Sequence, residues 1–165
     1  MWPFKRKEPV SNKESIDVKK PVTNPGLKSA ISIFNSNKTE TNLQKVLLEI
    51  KNATFLVLVN NDELKTTKTP KEGRVTFEAG SKLKFFKTFD EKGNAFIPLF
   101  TDWKEINLWI EVKTGVFAWI MPTEEAFNFV LKNKTVGLVI NPCTDKWEVN
   151  NEQITNFLNE IIGHI

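Results

Sequence analysis

Few residues of this sequence have the type and spacing that chemistry needs. The one histidine, His164, stands beside the last residue, with neither the cysteine nor a clustered acid at ligand spacing from it. A surface position at a chain end accounts for it. The one cysteine, Cys143, has no residue placed to act as its base, so it reads as a structural thiol rather than a nucleophile. Its place in a loop after a strand still makes its reactivity worth testing. Two acidic pairs, Glu124-Glu125 and Asp102 with Glu105, have the composition of acid/base pairs. Each falls in a first helical turn, where capping and the helix dipole explain it. The seven glycines are scattered and form no G-x-G-x-x-G or Walker pattern. No catalytic residue, cofactor or metal site is assigned.

One constellation has the character of a binding site. If strands ending at Phe100, Met121 and Asn141 run parallel, their carboxyl ends gather Phe100, Thr101, Asp102, Thr123, Asn141 and Pro142 on one rim. Open α/β sheets place ligands and partners on such rims. The competing reading is that these residues only turn the chain and cap helices. Trp109, Phe117, Trp119 and Phe129 are the expected exposed rings around the rim, suited to a protein partner.

The elements that must carry this rim follow from pattern. Thr41 and Gln44 form a capping box, and Leu43, Val46, Leu47 and Ile50 make one apolar helical face. Phe55 to Val59 reads as a strand buried on both faces. Residues 74–78 and 82–89 read as hairpin strands, Asp90 to Asn94 as a turn, and Ala95 to Phe100 as the next strand. Pro98 confines that strand to an edge, or to pairing on that side elsewhere. Asp102 and Glu105 open a helix with Trp103, Ile106 and Ile110 inward, and Val116 to Ile120 is a strand. Thr123 caps the next helix, Val136 to Ile140 is a buried strand, and Lys146 to Val149 is a short one. Asn150 and Gln153 box the last helix, with Ile154, Phe157, Leu158, Ile161 and Ile162 as its stripe. The fold class is α/β (α+β mixed): a single domain, a mixed β-sheet with helices packed against it. β-Hairpins fill the first half and β-α-β-α-β the second.

A chain of 165 residues, 40% hydrophobic and 26% charged, suits one globular domain with a real core. Thirteen Phe and five Trp with no Tyr supply rings, most of which need no polar partner when buried. Residues 1–28 hold seven Lys or Arg against three acids, while the remainder is close to neutral. A neutral body lacks the basic stripe that phosphate backbones require, which excludes nucleic acid as a partner. Residues 1–38, rich in Lys, Ser, Asn and Pro, read as a flexible basic arm with a short ordered piece around Ala30 to Phe34, and 39–165 as the folded domain. Trp2 and Phe4 beside Lys5, Arg6 and Lys7 suit at most a weak touch on an anionic membrane surface. One cysteine, no signal peptide and no long apolar run point to the cytoplasm.

Two motifs carry a family resemblance. Gly93-Asn-Ala-Phe-Ile-Pro-Leu-Phe-Thr101, followed by an acid-capped helix, and Val136-Gly-Leu-Val-Ile-Asn-Pro142 are spaced by one helix-strand-helix. Together they resemble the N-terminal domain of the SseB family, the bacterial "enhanced serine sensitivity" proteins, over roughly residues 50–160. That family usually continues Asn-Pro-Gly, where this chain has Cys143 in place of a glycine able to take a positive φ. The resemblance implies a bacterial cytoplasmic α/β domain and assigns no enzymatic activity or cofactor. The expected function is a non-enzymatic protein-binding or regulatory module with an unidentified protein partner. The alternatives are a small-ligand sensor in the same rim, or an enzyme of unrecognised type.

Overall fold

Apolar spacing and Pro25 at the first turn begin the architecture further upstream than composition suggests. In the computed structural model, which describes residues 21–60, 84–111 and 116–162, helix α1 (Pro25–Ser36) buries Leu27, Ala30 and Ile31. Those three positions are one helical face, i, i+3 and i+4, and they join the main core. Residues 25–36 therefore do not belong to a flexible arm. The stripe is only three residues wide among Lys, Ser and Asn, too narrow to register as periodic. Residues 1–20, with Trp2, Phe4, Lys5, Arg6 and Lys7, lie outside the described residues, as do His164 and the expected strand at 74–78.

A three-residue link joins α1 to α2 (Glu40–Asn52), which packs along it. The cap is Thr39, whose side chain accepts from the Asn42 amide, two residues before the expected Thr41. Val46 and Ile50 reach the core. Strand β1 (Thr54–Asn60) follows, and Phe55 to Val59 are all buried.

Among the described residues the strands form two sheets, and β1 belongs to the first. In the first it lies between β2 (Lys84–Phe85) and β5 (Val116–Pro122), antiparallel to both. The second runs β3 (Thr88–Phe89), β4 (Ala95–Leu99), β6 (Gly137–Ile140), β7 (Trp147–Asn150), with β4 and β6 parallel. A bridge between Leu56 and Phe100 joins the sheets, through paired amides at 2.9 and 3.0 Å. The described part of the expected strand 82–89, from Lys84, divides into β2 and β3, which serve different sheets. Two of its adjacent rings explain why: Phe85 packs on Trp119 and Phe129, whereas Phe86 meets Trp109 in a second cluster.

Pro98 lies inside the sheet without loss. Ala95 and Leu99 accept from Val136 and Asn141 on the β6 side, so the Pro98 nitrogen faces the other edge. On that edge the pairing with β3 ends at Phe96, and the bridge to Leu56 begins only at Phe100. Helices α4 (Thr123–Lys132) and α5 (Asn151–Ile162) join α1 and α2 around the core containing Phe55, Leu99 and Phe127. Helix α3 (Trp103–Trp109) covers the opposite face, where Ile106 packs with Leu56, Leu58 and Phe100. Gly137 allows β7 to come close, since a Cβ there would run into the Val149 carbonyl.

Because α1 is core, Ile31→Ala is expected to cost about 2–5 kcal/mol in urea denaturation. A chain beginning at Ser36 should lose cooperative unfolding. An unchanged midpoint in either variant would show that α1 is dispensable.

Candidate functional site

Strands β4, β5 and β6 point the same way, because β1 is antiparallel to both β4 and β5. Their carboxyl ends therefore share one rim. Asn141, fully buried and at φ +49°, closes it between β4 and β6. Its side-chain oxygen accepts from the Thr101 amide at 3.1 Å, and its side-chain nitrogen donates to Thr101 Oγ1 at 2.9 Å and to Asp145 Oδ2 at 2.7 Å. Its backbone oxygen accepts the amides of Thr144 and Lys146. Asn tolerates the left-handed region better than most residues, which suits this turn.

The charged part of the rim is equally occupied. Asp102 caps α3 by accepting the Glu105 amide at 3.0 Å. The Glu105 side chain does not return to complete a box. It is buried, receiving Lys28 Nζ at 2.7 Å and Thr144 Oγ1 at 2.8 Å. Lys28 also reaches Asp102 at 3.3 Å. Partial burial of the Lys28 ammonium pulls its pKa down. The hydrogen bond to Glu105 and the charges of both acids outweigh this and leave it raised above 10.5. Asn24 ties the start of α1 to the same rim, donating to Thr54 O and Thr101 O.

The family model of the SseB protein N-terminal domain matches residues 27–156. The chain belongs to the SseB family. A search of curated proteins and a search of solved structures each return no match.

In this SseB domain the rim gathers Phe100, Thr101, Asp102, Asn141 and Pro142, while Thr123 stands apart across the start of β1. Thr123 is not a cap: it is the first residue of α4, buried, and donates to the carbonyls of Ile50 and Ala53. The turn around Pro142 puts its positive φ at Asn141 and Lys146, so Cys143 stands without strain where the family has glycine. Its exposed thiol lies 3.5 Å from the Leu108 carbonyl. The four rings expected to be exposed are half-buried. Trp109 packs on Phe100 and Phe86, and Trp119 and Phe129 pack on Phe85. The exposed rings among the described residues are Phe89 and, next to the rim, Trp103 at 43% exposure. No three His, Cys, Asp or Glu side chains gather as around a metal among the described residues.

A second site escaped sequence reasoning. Helices α2 and α5 diverge over β7 and leave an open groove of about 260 Å³. Its lining includes the half-buried Leu43, Leu47, Trp147 and Phe157 over a floor of Ile50, Phe127 and Val149. A neighbouring cup of about 170 Å³ shares Leu47, Phe157 and Glu160 and adds Leu48, 59% exposed. The stripe of each helix was legible. The gap between the stripes depends on how far the helices stand apart.

Asn141→Ala leaves buried groups unpaired and forces alanine to a positive φ, an expected loss of about 2–4 kcal/mol. Asn141→Gly should recover about 1 kcal/mol of it through the backbone alone. Equal loss in both variants, measured by urea denaturation, would contradict the role of φ. Lys28→Met should cost about 1–3 kcal/mol, reduced from a fully buried pair by the solvent at Lys28. A raised lysine pKa stabilises below its unfolded value and loses that contribution as pH climbs through the folded one. Stability should thus be level from neutral to mildly alkaline pH and fall above about 10.5, less steeply in Lys28→Met.

Proposed function

We propose that this SseB domain is a non-enzymatic protein-binding module of the bacterial cytoplasm, and that its docking surface is the groove between α2 and α5. The observation that carries the reading is where unsatisfied surface remains. The rim's polar groups are bonded to one another, while the groove presents half-buried leucines and rings to solvent. Apolar clefts of this kind take protein segments anchored by one or two large side chains. At about 260 Å³ it falls short of the volume usual for an enclosed metabolite, which favours a segment over a small-ligand sensor. A single cysteine supports a reducing compartment, and no helix among the described residues is long and apolar enough to cross a membrane.

A second reading keeps the partner at the rim, supported by Trp103 and Leu108, 43% and 55% exposed on α3 beside it. One set of variants separates the two. Leu48→Glu alters only an exposed lip of the groove, whereas Asp102→Asn keeps the helix cap and removes the rim charge. Both should unfold within about 1 kcal/mol of the unaltered chain. Affinity capture from native lysate, read by mass spectrometry, is expected to lose its specific proteins with Leu48→Glu and keep them with Asp102→Asn. The reverse pattern assigns the partner to the rim. Retention of every captured protein by both variants rejects both surfaces.

A further inference from the structure

The groove consists of two cups that share one wall, formed by Leu47 and Phe157 with Glu160 at the edge. Such a shape fits two large side chains borne close together on the same side of an extended segment. Residues two apart on an extended chain satisfy that condition, about 7 Å from one another. The sequence contains this pattern at its own beginning. Trp2 and Phe4 stand two apart, and Pro3 between them disfavours the α conformation at Trp2. The three residues that follow are Lys5, Arg6 and Lys7.

We propose that residues 2–7 of this same chain dock in the groove, with Trp2 and Phe4 in the two cups and the basic run against Glu148 and Glu160. The proposal rests on the groove being the docking surface, and it makes the segment an internal competitor for any partner. Charge agrees with it. The lining carries Glu148 and Glu160 against one base, Lys51, so an incoming run of three cations meets net negative charge. Reach permits it. The 14 residue steps from Lys7 to Pro21 span up to about 46 Å, against a radius of gyration of about 15 Å for a domain of this length. The two rings supply large anchors with few rotatable bonds, which lowers the ordering cost of docking.

The test uses the full chain and a synthetic peptide of residues 1–12. A Trp2→Ala/Phe4→Ala variant should shift the methyl NMR signals of Leu43, Leu47 and Val149 and leave those of Ile97 and Leu138 in place. That variant should bind the peptide at least about fivefold more tightly than the intact chain, whose own segment competes. Adding Glu148→Gln/Glu160→Gln should weaken peptide binding and flatten its salt dependence. Equal peptide affinity in the two chains, or no binding at all with unmoved groove signals, overturns the proposal. So does binding of the intact chain to vesicles containing phosphatidylserine through Trp2 and Phe4 with the groove signals unmoved, which makes the segment a membrane contact. Conversion of a dimer to a monomer by Leu48→Glu, with no response to loss of the two rings, gives the groove to a second copy instead. Partner capture sensitive to Leu48→Glu but indifferent to Trp2 and Phe4 removes the competitor and leaves the docking surface standing.

Discussion

A buried amide holding two parallel strand ends together is the constraint on which the rest of this fold depends. Strands β4 and β6 finish side by side with no hairpin between them, so their ends need a lateral tie. Asn141 is that tie, because it takes a positive φ and presents a donor and an acceptor at once. Its amide satisfies the Thr101 backbone nitrogen on one side and Asp145 on the other. Aspartate lacks the donor and glycine lacks both groups. In a space where water is excluded, leaving either group unpaired costs about 1–3 kcal/mol, a large part of the stability of a domain this size.

That tie draws α1 into the domain. Once Thr101 is fixed, Asp102 is placed to cap α3, and the cap aims Glu105 into the interior. A carboxylate at such a depth needs a cation and a second hydrogen bond, and Lys28 and Thr144 provide them. Lys28 stands one residue beyond Leu27, so the charge that satisfies Glu105 and the leucine that enters the core arrive on one helical turn. Asn24, at the start of that helix, bonds the carbonyls of both Thr54 and Thr101. Hydrophobic burial and ion pairing therefore select the same placement of α1, although neither is strong in the sequence by itself.

What could be read from the residues divides along this line. Local signals were legible. The Asn150 and Gln153 box forms in both directions at 2.8 and 3.0 Å, Asp102 caps its helix, and the buried runs expected at 55–59 and 136–140 are strands, the second starting at Gly137 with Val136 exposed. The shared rim was legible too, since the alternation of strands and helices sets strand direction. Signals that depend on distant partners were not. Thr123 looked like a cap because threonine before two glutamates usually is one, yet the carbonyls of Ile50 and Ala53 claim its hydroxyl. Trp119 and Phe129 looked surplus to the core because nothing in their own segments points to Phe85, which packs against both. The groove had no local signature at all.

Its origin lies in a close approach between β6 and β7. Gly137 lets β7 lie against β6 more closely than any side chain would allow, and α5 begins at the next residue after β7. The start of α5 is thereby fixed by the sheet, through the Asn151 amide on Val136 O. The path of α2 is fixed separately by α1 and by the carbonyls at its end that Thr123 holds. Two helices positioned by different partners have no reason to meet. Helix α4 packs on each of them and Phe127 fills the floor, but Leu47 and Phe157 still line the space above it. Closing that space would move α5 away from the strand contact at Gly137 or α2 away from the carbonyls that Thr123 holds. The apolar cleft is thus a stable consequence of how the core is tied, and a surface so placed is available for binding without any loss of fold.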